Sequence, residues 1–217
     1  MIYKALKEYF KTYRLGFHLL FIGGLILTSC STTKSIPQDE QLFVGISKIN
    51  YEKNEDAKHF VTVQEEIEEA LATQPNGALF GSSSLRSPFP IGLWIWNEFS
   101  TKKSGLSKWI TKTFGKKPVL IANVNPALRA SVAQQVLRSH GYLRGEVDYN
   151  IESTENVKKA KVAYNVTPGP LFRIDSVEFV GFPEREMNYL KSLNGAILLH
   201  KGDIFDVSKL EEQRERI

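Results

Sequence analysis

The chain contains a single cysteine, Cys30, so no disulfide within the chain can hold its fold together. Four basic residues and then 13 mainly apolar ones, Leu15–Leu27, precede this cysteine. That length suits the apolar region of a signal peptide and is short for a helix that spans a bilayer, which needs about 20 residues. The sequence therefore predicts that residues 1–29 are a signal peptide and that the exported remainder folds around ordinary hydrophobic cores. A retained membrane anchor is the alternative.

The residues Leu27-Thr28-Ser29-Cys30 resemble the lipobox of bacterial lipoproteins. The resemblance implies cleavage before Cys30 and lipidation of its thiol, so that palmitate or a similar acyl chain anchors the protein. Because Ser31 rather than an aspartate follows, the same resemblance implies sorting to the outer membrane, with the domain facing the periplasm. Residues 30–42 are polar and predict a flexible tether.

Removal of the leader changes the charge balance. The whole chain has 28 basic and 24 acidic residues, and residues 1–29 hold four of the basic and one of the acidic. The remaining 24 basic and 23 acidic residues leave an almost neutral protein. Composition therefore gives no support for nucleic-acid binding.

A first domain is predicted over residues 43–168, beginning with a strand at Phe43–Tyr51. Thr62 and Glu65 have the spacing of a capping box at the start of a helix with apolar Val63, Ile67, Ala70 and Leu71. Asn125-Pro126 predicts the start of a second helix, which ends before Gly141. Its predicted apolar stripe consists of Leu128, Val132, Ala133, Val136 and Leu137.

Two alternating strands follow the second helix. Val147, Tyr149 and Ile151 alternate with polar residues, and Val162, Tyr164 and Val166 do the same after a turn at 153–156. The predicted order is strand, helix, helix, strand, strand, in an α+β fold.

The pattern restarts after Thr167-Pro168-Gly169-Pro170, which predicts a partial second domain over residues 171–217. It comprises a strand at Phe172–Gly181, a helix at Pro183–Leu193 and a helix capped by Asp206 or Ser208. Because a lone strand has no ladder partner, we expect this sequence to be a fragment of a longer protein.

The repeated order resembles tandem POTRA domains, the periplasmic modules of outer-membrane assembly proteins. Leu137-Arg138-Ser139-His140-Gly141-Tyr142, the segment 166–174 and the segment 202–217 carry the resemblance. Together with the lipobox, it is similar to the TamL-like lipoproteins of the BamA/TamA superfamily found in Bacteroidetes, of which this would be an N-terminal piece without the barrel. The resemblance implies binding of unfolded outer-membrane proteins or assembly partners by strand augmentation. The implied edge strand is Glu146, Val147, Asp148, Tyr149, Asn150 and Ile151; a cover of this edge by the insertion described next is the alternative.

Residues 74–120 form a long insertion between the two helices. Ser100–Pro118 contains six lysines and no acidic residue, and Leu106, Trp109, Ile110 and Phe114 share a helical face. Such a face either packs on its own domain or contacts a membrane or a partner. The candidate contact residues are Trp94, Trp96, Lys108, Trp109 and Lys112.

The sequence does not predict an enzyme. His59, His140 and His200 stand singly, without metal-binding spacing, and no nucleophile elbow or phosphate-binding glycine loop is present. We therefore expect no catalytic residues, metal or cofactor. An envelope lipoprotein of other function, structural or hydrolytic, with a coincidentally similar α+β fold is the alternative.

Overall fold

The structure, a computed structural model, describes residues 32–53, 57–178, 180–192 and 197–216. The predicted signal peptide, the lipobox and Cys30 lie outside the described residues. Three strands and seven helices follow in chain order: β1 (Leu42–Tyr51), α1 (Ala57–Leu71), α2 (Ile91–Phe99), α3 (Gly105–Phe114), α4 (Ile121–Val124), α5 (Pro126–Ser139), β2 (Glu146–Ser153), β3 (Lys159–Thr167), α6 (Glu184–Ser192) and α7 (Val207–Arg216). None of these described helices is long and apolar enough to cross a bilayer.

The sheet confirms the α+β class and the strand-helix-helix-strand-strand order predicted for residues 43–168. The insertion adds α2 and α3, and the short α4 lies between the insertion and α5. The strands lie in the order β1-β3-β2. β3 pairs with β1 in parallel and with β2 in an antiparallel hairpin. The parallel pairing needs a long crossover, which α1, the insertion and α5 supply.

The core lies between one face of this sheet and the two long helices. Burial of a whole Val, Leu, Ile or Phe side chain stabilises a fold by about 1.5–3 kcal/mol, so this cluster accounts for much of the stability of the domain. Its members include Phe43 and Ile46 of β1, Val63, Ile67 and Leu71 of α1, Ala133 and Leu137 of α5, and Val162, Tyr164 and Val166 of β3.

The start of α1 differs from the prediction. α1 begins at Ala57, so Thr62 lies inside the helix and the capping box of Thr62 and Glu65 is wrong. The prediction at Asn125-Pro126 is confirmed, because the Asn125 side chain accepts a hydrogen bond from the Leu128 amide at 3.2 Å and Pro126 begins α5. Asn125 caps α5 in the left-handed region, at φ 48°.

The apolar stripe predicted for α5 is wrong in part. Leu128 and Val132 are exposed, whereas Ala130, Ala133 and Leu137 face the core. The small alanine side chains allow α5 to approach the sheet closely. Arg129 of α5 donates a hydrogen bond to the Ala70 carbonyl of α1 at 3.1 Å, so the side of α5 that carries Arg129 faces α1.

The strand predicted at Phe172–Gly181 is also wrong within the described residues. That segment forms one isolated bridge, between Arg173 and Ile204, because an extended segment without a neighbouring strand has no ladder. Both helices predicted after residue 171 are present, as α6 and α7. Asp206 caps α7, accepting a hydrogen bond from the Ser208 amide at 2.8 Å.

Part of the segment predicted as a flexible tether lies against the insertion. Ile36 is buried with Leu42, Val44 and Leu93 of α2. Ser35 donates a hydrogen bond to the Asn97 side chain, and Lys34 Nζ lies 3.4 Å from a carboxylate oxygen of Glu98. The chain therefore follows a defined path along α2 before β1 begins.

Candidate polypeptide-binding edge

The strand β2 lies at an edge of the sheet and pairs regularly along its whole length. Its register with β3 runs without a break from Glu146 opposite Thr167 to Ser153 opposite Ala160. Within the described residues, no hydrogen bond from outside this hairpin reaches Val147–Ile151. An uncovered and regular edge presents amide and carbonyl groups to which another extended chain can pair.

The insertion covers the other edge of the sheet, at the N-terminal half of β1. The Phe43 amide donates to the Val119 carbonyl at 2.8 Å, and the Ile46 amide donates to the Ser83 carbonyl at 2.9 Å. The C-terminal half of β1 borders an open groove lined by residues that include Ile49, Tyr51 and Glu68. The insertion thus protects the N-terminal half of β1, whereas β2 is uncovered along its length.

An apolar row accompanies the open edge. Val147, Tyr149 and Ile151 lie opposite the core residues Val166, Tyr164 and Val162, and they share the face that carries the helices. Their exposure rises along the strand, from 8% at Val147 to 38% at Tyr149 and 45% at Ile151. A strand added to β2 would find apolar surface next to its backbone partners.

On the neighbouring strand β3, the residue opposite Tyr149 is completely buried. Tyr164 is fully buried, and this burial raises the pKa of its phenol to about 12. Its ring therefore stays neutral under any physiological condition.

The opposite face of β2 is acidic. Glu146, Asp148 and Glu152 are exposed there. Charges on an edge strand oppose pairing with a second copy of the same strand, because like charges would then meet. They also favour an incoming strand that carries lysine or arginine.

The candidate contact residues of the insertion fall into two groups. Trp94 and Trp96 are half-buried; the Trp94 ring packs against Phe89, and the Lys117 ammonium lies 5.6 Å from the centre of the Trp96 ring. Lys108, Trp109 and Lys112 of α3 are exposed. The structure therefore brings the α3 residues to the surface and leaves the two α2 tryptophans inside the insertion.

Two histidines that are 81 residues apart in the chain lie close together beside the start of α7. His59 Nε2 lies 3.0 Å from the His140 carbonyl oxygen, and its ring stacks on Tyr142 with ring centres 5.9 Å apart. His140 Nε2 lies 2.9 Å from Glu66, and its Nδ1 lies 3.8 Å from Asp206. Sequence reasoning missed this cluster, because nothing local relates the two positions.

Asp206 is held ionised at this joint. Burial alone would raise its pKa, but hydrogen bonds from the Ser208 hydroxyl and amide and the charge of His140 together lower it below its usual value. Within the ranges that the structure describes, no three His, Cys, Asp or Glu side chains are grouped as ligands for a metal ion. The expectations about catalysis and cofactors stay predictions.

No protein-family model matches the chain, and no curated protein matches it. Among solved structures, the crystal structure of the POTRA3-5 fragment of Haemophilus influenzae BamA is similar at 10% sequence identity, with a TM-score of 0.31. That similarity covers 84% of this chain and 87% of the BamA fragment.

Proposed function

We propose that this chain is a periplasm-facing module of an outer-membrane protein assembly or translocation factor, and that it binds extended segments of client polypeptides along β2. The observation that carries the proposal is the open and regularly paired edge at Glu146–Ile151, beside the partly exposed Tyr149 and Ile151. The TamL-like lipobox resemblance supports the outer-membrane location and a lipid anchor at Cys30.

The energetics of such pairing suit transient binding. Pairing along this segment would form up to about six backbone hydrogen bonds, each with a net contribution of about 0.5–1.5 kcal/mol. Association costs at least about 4 kcal/mol, so the backbone term alone gives weak binding that tolerates many sequences. Contacts with Tyr149 and Ile151, and attraction to Asp148 and Glu152, would then select apolar and basic client segments.

Site-specific photocrosslinking tests the edge. A photoreactive residue in place of Asn150 on β2 is expected to capture an unfolded outer-membrane protein. The same residue in place of Lys48, which borders the open groove beside β1, distinguishes that edge from β2. Capture at Lys48 alone, or at neither position, would refute binding along β2.

Two alternating peptides of the same apolar sequence, one with lysines and one with glutamates at the polar positions, test the selectivity. The lysine peptide is expected to compete better for the Asn150 crosslink, because Glu146, Asp148 and Glu152 repel its acidic counterpart. Equal competition would show that the acidic row plays no part in recognition.

The anchor has a separate test. The protein is expected to take up radiolabelled palmitate in a bacterial host, and the Cys30→Ser variant is expected to lose the label. Label that persists in that variant would contradict lipidation at Cys30.

A further inference from the structure

Charge is distributed unevenly between the insertion and the rest of the protein. The insertion, residues 74–120, contains seven basic residues and one acidic residue, Glu98. The rest of the chain from Cys30 onward contains 17 basic and 22 acidic residues. All six lysines of Ser100–Pro118 are exposed, so this positive charge lies at the surface.

Large apolar side chains are exposed on the same insertion. Leu106, Trp109 and Phe114 of α3 are 68%, 57% and 54% exposed, and the Trp109 and Phe114 rings meet edge to face at 5.9 Å. The buried residue of α3 is the polar Ser107. Three of the four residues of the predicted face therefore point to solvent, whereas the fourth, Ile110, is half-buried; Lys108 and Lys112 are exposed elsewhere on the same helix.

The path of the chain brings this helix close to the point of anchoring. The Glu98 carboxylate forms ion pairs with Lys34 Nζ at 3.4 Å and with Lys102 Nζ at 2.6 Å. These pairs hold the chain at Lys34 beside the junction of α2 and α3. The four residue steps from Cys30 to Lys34 span at most about 14 Å when fully extended. A lipid on Cys30 would thus keep α3 within reach of the leaflet that holds it.

We propose that the exposed face of α3 lies on an anionic phospholipid surface. Trp109, Phe114 and Leu106 enter the boundary between headgroups and acyl chains, and Lys108 and Lys112 lie among the anionic headgroups. This proposal adds a membrane orientation to the proposed function. The distance from Cys30 to α3 supports it only if Cys30 is lipidated as proposed, whereas the affinity of α3 for lipid requires no anchor. The acidic row of β2 would be repelled by the same surface, which favours an orientation that leaves that edge accessible to clients.

Vesicle flotation tests the contact without the anchor. The full mature chain carrying Cys30→Ser, which cannot be lipidated, is mixed with vesicles of phosphatidylethanolamine and phosphatidylglycerol in a ratio of 7:3. It is expected to float with these vesicles at low salt, and to bind less with rising salt and with vesicles of phosphatidylcholine alone.

Two variants examine the apolar and the charged contributions. Trp109→Ala with Phe114→Ala, and separately Lys108→Glu with Lys112→Glu, are each expected to lower partitioning by about tenfold or more. Val157→Ala, a change at an exposed position of the β2–β3 turn, is the matched control and is expected to bind like the parent. Unchanged thermal unfolding of each variant shows that the fold is intact.

Flotation that is absent for the parent, or equal for all variants, would overturn the proposal. A concentration-dependent dimer that the Trp109 and Phe114 variant abolishes would also overturn it, by assigning the face to a second copy of the chain. The protein used for flotation carries no lipid, so a negative flotation result contradicts only the membrane contact of α3. Negative results in palmitate labelling or in the Asn150 crosslink contradict only the proposed function.

Discussion

A single buried asparagine joins the two ends of the insertion, and its removal should loosen the insertion from the sheet. Asn76 is 5% exposed. Its side-chain amide donates to the Lys117 carbonyl at 2.7 Å, and its side-chain oxygen accepts from the Val119 amide at 2.6 Å. The Val119 carbonyl in turn accepts from Phe43 of β1. The variant Asn76→Ala leaves one carbonyl and one amide without partners.

The size of the effect follows from these two groups. An unsatisfied buried polar group costs about 1–3 kcal/mol, with the lower end applying at the exposed residue Lys117. Asn76→Ala should therefore lower the free energy of unfolding by about 2–4 kcal/mol. For a chain of this size that is a fall of roughly 5–15 °C in Tm.

Urea unfolding followed by circular dichroism measures this loss, and hydrogen exchange at the Phe43 and Ile46 amides locates it. The matched control is Asn50→Ala, which removes an equally short bond, 2.7 Å from Asn50 to Asn165, that is exposed on the sheet. We expect that control to cost less than about 1 kcal/mol. Equal losses in the two variants, or unchanged exchange at Phe43 and Ile46, would refute the reasoning that Asn76 holds the insertion on β1.

Two further predictions concern the joint around His140. Gly141→Ala should destabilise the contact between Gly141 and the segment before α7, because Gly141 has φ +93° and an added Cβ would lie 2.8 Å from the Phe205 carbonyl oxygen. Gly202→Ala is the comparison, because Gly202 has a similar φ of +91° but no atom lies close to an added Cβ, so this variant introduces backbone strain without a clash. We expect less proteolysis between residues 171 and 206 in Gly202→Ala than in Gly141→Ala. Asp206→Asn should weaken the dependence of the unfolding free energy on pH in the acid range. The lowered pKa of Asp206 stabilises the folded protein above the unfolded pKa of about 3.9, and this stabilisation is lost as pH falls through the folded pKa. Parallel curves of unfolding free energy against pH for the parent and Asp206→Asn would contradict this role.

Local patterns predicted the parts of the fold that local forces determine. Alternation located β2 and β3, and the cap chemistry of Asn125-Pro126 located the start of α5. The hydrophobic periodicity of α3 also identified its apolar face correctly. It carried no information about what lies opposite that face, so the exposure of Trp109 had to come from the structure.

Other features depend on residues that are distant in the chain. α1 begins before Thr62 because Phe60 and its neighbours join the core, which extends the helix beyond its apparent cap. The predicted strand at Phe172–Gly181 needed a partner that the described residues do not supply. The meeting of His59 with His140, and of Lys34 with Glu98, results from tertiary packing, and no spacing rule relates such positions.

The parallel pairing of β1 with β3 has a consequence for the order of folding. The paired Asn50 and Asn165 are 115 residues apart. The β2–β3 hairpin and α5 make local contacts, whereas β1 must close a long loop, so β1 should join last. In an exported chain this folding follows translocation, so β1 would stay unpaired until the β2–β3 hairpin has formed. Through that interval the side chains of Phe43, Val44 and Ile46, which are buried in the folded protein, are exposed, and a chaperone that binds apolar segments would protect them.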